Sequence, residues 1–250
     1  VKVVVAMRYW KPDTEEAAAA MKAFAPDRLV LLPLYPQFST TTTASSLAEW
    51  ARVARGLSTA TSALCCYPRD AGLVAAYADL LRGALALAPK SATARVLFSA
   101  HGLPERVVKR GDPYPLQIEA GAQAIVAATG LKDLDWRVSY QSRVGPLTWI
   151  GPDTDKEIEA AARAGLMPVV VPISFVSEHS ETLYELDQLY RDLAIKAGAP
   201  AYIRVPAVGT HPAFIEGLAG LVRGALSGQG PALRCGEGQR FCPAEARACP

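Results

Sequence analysis

The chain has 250 residues, half of them hydrophobic and a fifth charged, an ordinary composition for a globular protein with a large core. Twenty-six basic against 24 acidic side chains leave a net charge of +2, which gives no electrostatic case for nucleic acid or an acidic membrane as main partner. No apolar run approaches the ~18 residues that span a bilayer and nothing points to secretion, so a cytoplasmic protein is expected.

Val1 to Met7, VKVVVAM, is β-branched and reads as a strand. A parallel α/β domain rarely opens so abruptly, on Val rather than Met, and we expect this to be part of a longer protein. Asp13 to Ala25 is Ala- and Glu-rich, a helix entered through Pro12 and Asp13. Arg28 to Tyr35 reads as a buried strand, Ser45 to Arg55 as a helix, Thr59 to Cys66 as a strand and Gly72 to Ala88 as a helix. A second series begins with a strand at Ala94 to Ser99. Helices are then expected at Pro115–Thr129, Asp153–Ala164, Glu178–Gly198 and Pro212–Ser227, with strands at Leu134–Gln141, Leu166–Phe175 and Ala201–Val205. Alternating βα units of this length imply parallel sheets with helices on both faces. The boundary between the two halves is placed at Pro89 to Thr93. The tail from Gly228 carries Gly, Pro, Arg and Cys with little periodicity and reads as an appendage.

Several segments sit just past strand ends, where open α/β sheets bind ligands. His101 lies between the strand Val96-Leu97-Phe98 and the turn Gly102-Leu103-Pro104. Its imidazole can accept a proton or ligate a metal near neutral pH, or simply cap the turn. Glu178, His179 and Glu181 cluster where a later strand gives way to a helix, with Glu185 one turn on. At spacings of 3 and 4, the three glutamates would share one helical face. Such stacked charge repels itself unless it holds cations or protons, although an acidic first turn also complements the helix dipole. Met7-Arg8-Tyr9-Trp10 places a cation and aromatics after the first strand, either for binding or as a surface Arg stacked on a ring. Leu34-Tyr35-Pro36-Gln37-Phe38-Ser39 and Tyr140-Gln141-Ser142-Arg143 follow two further strands and by default cap the next helices. Pooled, the loops suit a flat, anionic, aromatic substrate and a divalent cation.

The segments MRYWKP, LPLYPQFSTTTTASS, FSAHGLPERVVKRGDPY, YQSRVGPLTWIGPDTD, PISFVSEHSETLYELD and VPAVGTHPAFIEGL, in this order, closely resemble the ferrochelatase family. That resemblance implies an enzyme inserting ferrous iron into a free-base porphyrin in haem biosynthesis. It also implies two Rossmann-like (chelatase-type) domains with parallel sheets and the porphyrin cleft between them. Residues 1–90 would be the remainder of an incomplete first domain, 91–208 the second, 209–227 a C-terminal helix and 228–250 a Cys-containing tail. His101 matches the residue assigned to iron binding or pyrrole proton abstraction, and Glu181 its partner across the pocket. Glu178 and His179 match neighbouring catalytic positions, while Arg8 and Tyr9 match pocket residues near the macrocycle. Some members bind a [2Fe–2S] cluster, and Cys235, Cys242 and Cys249, spaced C-x6-C-x6-C, are candidates to hold one here. A cluster needs four thiolates, and the fourth would be Cys65, Cys66 or a residue beyond Pro250. Thr40 stands where the animal enzymes carry a ligand. His211 is expected to cap the last helix.

The competing functions are a porphyrin- or haem-binding protein without turnover and a cobalt or sirohydrochlorin chelatase. The sequence leaves open protoporphyrin IX against coproporphyrin III, the oligomeric state and peripheral membrane contact.

Overall fold

The computed structural model describes residues 1–142, 145–227 and 232–250. Arg143 and Val144 of the loop singled out above lie outside the described residues. The strands are β1 (Arg28–Leu31), β2 (Ala60–Cys66), β3 (Ala94–His101), β4 (Trp136–Gln141), β5 (Met167–Pro172), β6 (Ile203–Arg204) and β7 (Leu233–Cys235). The α-helices are α1 (Thr14–Phe24), α2 (Thr43–Val53), α3 (Ala71–Ala86), α4 (Glu105–Lys109), α5 (Tyr114–Thr129), α6 (Thr154–Arg163), α7 (Tyr190–Lys196) and α8 (Pro212–Leu226). A π-helix, Glu181–Leu189, runs directly into α7.

The strands form two parallel sheets, ordered β1-β2-β7 and β4-β3-β5-β6. The inner strands of the second sheet bury both faces, which is why they read as unbroken apolar runs. Along β3, Val96, Phe98 and Ala100 join the main core while Leu97 faces the opposite side. On β5, Val169 and Val171 join the same core and Val170 faces away. The main core also takes in α3 and α5, whose Leu73, Tyr77, Leu81, Ile118 and Ile125 are buried. A second cluster, with Ile158, Leu186, Tyr190 and Ala194, covers the other face of the second sheet. Helix α8 returns to pack on α3, β1 and β2.

Side-chain caps mark the starts of α1, α3 and α8. Asp13 accepts from the Glu16 amide while Glu16 accepts from the Asp13 amide, a reciprocal cap on α1. Asp70 accepts from the amides of Gly72 and Leu73 at the head of α3. His211 caps α8 as expected, accepting from Ala213 N–H.

The short helix α4 was not expected, β1 stops at Leu31 and is only partly buried where a buried strand to Tyr35 was expected, and three further stretches differ from the sequence-based expectation. Val1 to Ala6 forms no strand: its side chains are mostly exposed, and Met7 pairs only locally with Asp13. β-branched residues favour strands by packing on a pleated surface, and no described strand offers one here. The tail is not wholly an appendage, because Leu233–Cys235 adds to the edge of the first sheet beside β2. The helix expected from Glu178 starts at Glu181 and is π-wound for nine residues.

Candidate active site

His101 is the last residue of β3 and faces the π-helix. Its backbone N–H donates to Ser174 Oγ at 3.0 Å. Its Nδ1 lies 2.8 Å from the carbonyl oxygen of Gly102. A carbonyl can only accept, so Nδ1 carries the proton and Nε2 is left to bind a proton or a metal. Nε2 points at Glu181 Oε2, 3.5 Å away, with both side chains partly open to solvent. Two bare acceptors repel, so this gap suits a cation held between the two.

Glu181 and Glu185 meet at Ser142, the first residue after β4. Ser142 Oγ lies 2.9 Å from Glu181 Oε2 and 2.5 Å from Glu185 Oε2, and the Ser142 N–H donates to Glu185 Oε1 at 3.0 Å. One hydroxyl proton can be donated to only one of the two carboxylates at a time, so Ser142 Oγ brings the two acidic side chains together without supplying a donor to both. Tyr190 O–H adds a bond to Glu185 Oε1 at 2.9 Å. The Gln141 amide approaches Ser142 Oγ at 3.4 Å, and Gln141 is itself held by Ser99 O–H at 2.7 Å. Ser142 adopts φ of 58°, an uncommon left-handed conformation for a serine.

Glu178 turns the other way. It accepts from Arg204 Nη1 at 2.7 Å, Thr182 O–H at 2.7 Å and Ala207 N–H at 3.0 Å. Burial opposes its ionisation, but these three donors outweigh it and hold the carboxyl below its ordinary value of 4.5. Arg204 also makes a two-pronged pair with Asp187, at 2.9 and 2.7 Å, and its side chain is only 10% exposed. The π-helix is thus pinned at both sides, to β4 through Ser142 and to β6 through Arg204. Removing this clamp with Arg204→Met should cost about 2 kcal/mol, the scale of lost charged hydrogen bonds. The Glu178 contribution is present above pH 4.5 and fades as pH falls through its lowered folded value. Acid unfolding of the variant, followed by circular dichroism, should therefore begin at higher pH than in the parent.

Phe175 lies between two imidazoles, stacked on His179 (centroids 5.8 Å, planes 29°) and tilted against His101 (6.5 Å, 56°). Tyr77 O–H fixes this turn through the carbonyls of Pro172 and Phe175. Arg8 stacks on Tyr9, 4.9 Å from its centroid, and donates to Ser45 Oγ at 3.0 Å. Tyr9 is 80% exposed. The Ser39–Thr40 loop is anchored by buried Asp112, which accepts from both hydroxyls and from Thr40 N–H.

The family profile described as Ferrochelatase matches residues 1–226. A ferrochelatase of Caulobacter vibrioides is 50% identical over 249 residues, covering 97% of this chain and 71% of the relative. The ferrochelatase of Phenylobacterium zucineum is also 50% identical, covering 99% and 71%. The chain belongs to the ferrochelatase family. The fold is of the chelatase type: SirB from Bacillus subtilis with Fe3+ superimposes with a TM-score of 0.62 at 17% identity, covering 92% of this chain and 86% of that one.

Of the residues expected to act together in this ferrochelatase, the structure joins His101 with Glu181, and Glu181 with Glu185 through Ser142. Glu178 leaves that line for Arg204, and His179 stacks on Phe175. Ser142, Phe175 and Arg204 were not singled out individually from sequence. The one available signal was Arg204, a charge inside the apolar run Ala201 to Val205.

All five cysteines line one cavity of about 280 Å³ between β2 and the tail. Cys65 and Cys66 are neighbours on a strand, where side chains normally point to opposite faces. A register irregularity between Leu64 and Cys66 relaxes that rule, and the two sulfurs lie 3.4 Å apart. Cys66 Sγ is 3.7 Å from Cys235 Sγ, and the three sulfurs lie within 4.8 Å of one another. Cys242 and Cys249 are buried beside Phe241. Hydrogen bonds from Cys65 and Cys66 hold Cys235 well below the ordinary thiol range, while donation to Cys235 pushes Cys65 up to about 12.

Proposed function

We propose that this ferrochelatase-family chain inserts ferrous iron into a free-base porphyrin with His101 as the proton acceptor or first iron ligand and Glu181 as its partner. The observation that carries the assignment is the opposition of His101 Nε2 and Glu181 Oε2 at 3.5 Å, beside the Ser142-bridged Glu185. Two pyrrole protons must leave as the metal enters. An imidazole whose Nδ1–H is committed to a carbonyl presents Nε2 as the free acceptor. Glu181 stabilises the imidazolium that results, and the Glu181–Ser142–Glu185 line holds either the released proton or the incoming cation. Glu178 and His179 act at one remove: Glu178 anchors the start of the π-helix, and His179 braces Phe175. Arg8 and Tyr9, near the rim at Tyr35, are assigned to the edge of the macrocycle. Residues 1–90 and 91–208 are read as the two halves of the porphyrin cleft. No helix among the described residues is long and apolar enough to cross a membrane, and we assign the chain to the cytoplasm.

Anaerobic incubation with ferrous iron and a free-base porphyrin should replace the free-base spectrum by that of the metalloporphyrin. Tight porphyrin binding with no metalation would instead select the binding-protein reading. Running protoporphyrin IX and coproporphyrin III in parallel identifies the substrate.

The thiol cavity supports a second assignment, a [2Fe–2S] cluster held by Cys235, Cys242, Cys249 and one of Cys65 or Cys66. The donor set fits, since five cysteines line one cavity and a cluster takes four thiolates. Such a group supplies a one-electron couple and a covalent tie between β2 and the tail. Iron and acid-labile sulfide in equal amounts, with visible absorbance in the purified protein, are the expected result.

A further inference from the structure

Gln117, on the first turns of α5, spans the distance between the thiol cavity and the loop at the end of β1. It is fully buried. Its Oε1 accepts from Phe38 N–H at 2.7 Å, and this fixes the orientation of the carboxamide. The Nε2 end then faces Cys242 Sγ at 3.3 Å. Nothing about a glutamine in a helix core requires a sulfur partner, and an unsatisfied amide there would be costly.

The segment around Gln117 also reaches the Gln37–Thr40 loop. Asp112 holds Ser39 and Thr40, and Gln37 Nε2 donates to the Ile173 carbonyl. Tyr114, one turn before Gln117, is buried and its backbone N–H donates to Asp112, the carboxylate that holds Ser39 and Thr40. Arg234 lines the cavity and bonds the Gly224 carbonyl; two further cations lie near it, Arg69, stacked 4.6 Å from the Phe241 centroid and paired with Glu237, and Arg240, which bonds the carbonyls of Pro243 and Ala246. All three cations are partly spent on these partners, whereas the Gln117 donor lies inside the protein.

We propose that Gln117 is a positioning residue that couples the cysteine-bound centre to the Gln37–Thr40 loop, through an N–H···S bond to Cys242 and an N–H···O bond from Phe38. The proposal rests on the [2Fe–2S] reading of the cavity. One electron passed to such a cluster by a soluble one-electron reductant, as dithionite would supply in a titration, would place negative charge on its sulfurs, and a hydrogen bond to a ligand sulfur would favour the reduced form. A stronger bond at Cys242 draws the same carboxamide whose other end holds Phe38, so reduction of the centre is felt at the loop.

The experiment uses the whole chain. Iron and sulfide content come first, followed by a reductive titration monitored by visible absorbance and electron paramagnetic resonance. Gln117→Met, close in volume, and Gln117→Leu should keep full cluster content and shift the midpoint potential to more negative values. Hydrogen exchange at the Phe38 amide should speed up at least tenfold in both. A glutamine that merely fills space would lower thermal stability and leave the midpoint in place, and that result overturns the proposal. In the unmutated protein, carrying 15N-labelled glutamine side chains, pulsed resonance of the reduced state should show a nitrogen coupling. Its absence overturns the proposal whether or not the variants fold. Absence of sulfide from the parent protein overturns the cluster reading itself and this proposal with it, a result distinct from a normal cluster with an unmoved midpoint.

Discussion

Replacing His101 by alanine is expected to lower iron insertion by about 10³-fold, the upper range for loss of a positioned acid–base group, while porphyrin binding persists. The side chain is 42% exposed and, among the described residues, its ring hydrogen bond is to the adjacent Gly102 carbonyl, so the fold should lose no more than about 1 kcal/mol. Loss of turnover with a retained porphyrin absorption shift separates chemistry from binding. Single-turnover spectra with ferrous iron supply the first quantity, and fluorescence quenching of the porphyrin the second. Turnover within a factor of a few of the parent would remove His101 from the reaction. Raising the pH cannot restore the variant, because the missing group is the base and not its protonation state.

Glu181→Gln is expected to produce the second largest loss, about 10²-fold in kcat. The amide is nearly isosteric and still reaches Ser142 Oγ, so the π-helix should stay in place. What disappears is the negative charge 3.5 Å from His101 Nε2. Without it the imidazolium is less stabilised, and the iron gap has lost a hard oxygen ligand. The apparent KM for iron should rise while that for porphyrin stays unchanged. Glu185→Gln should have a weaker effect of the same kind, since Glu185 acts through Ser142 and Tyr190. Equal effects on both substrates would argue that Glu181 shapes the pocket instead of serving the metal.

Much of the architecture was legible because local chemistry and tertiary packing agreed. The strands β3 and β5 bury both faces and so advertise themselves as apolar runs. The helices α1, α3 and α8 carry side-chain caps at Asp13, Asp70 and His211 that can be read residue by residue. That His101 stands at a strand end was equally readable, although the strand runs two residues further than expected and includes it. Less was legible where geometry departs from standard periods. A π-helix has no separate residue vocabulary, so an α-helical period placed Glu178, Glu181 and Glu185 on one face. In the structure Glu178 precedes the wound segment and follows Arg204, leaving only the later pair at Ser142. Ser142 and Phe175 are ordinary residues in ordinary loops, and only their partners mark them. Val1–Met7 shows the converse, strong strand preference with no described strand beside it. The strand β7 is three residues long in a Gly- and Cys-rich setting, too short for any periodicity to register.

The pairing of β7 with β2 brings residues 169 positions apart into register, with Cys235 opposite Cys66. Synthesis at ~5–20 residues per second keeps that edge waiting for roughly ten seconds or more after β2 emerges. Until then the backbone donors and acceptors along Ala63 to Cys66 stand open, next to side chains that are buried in the finished protein. An unpaired strand edge of that kind is a template for another chain. The β2 edge is therefore open to misassembly for as long as the stretch between it and β7 takes to be made.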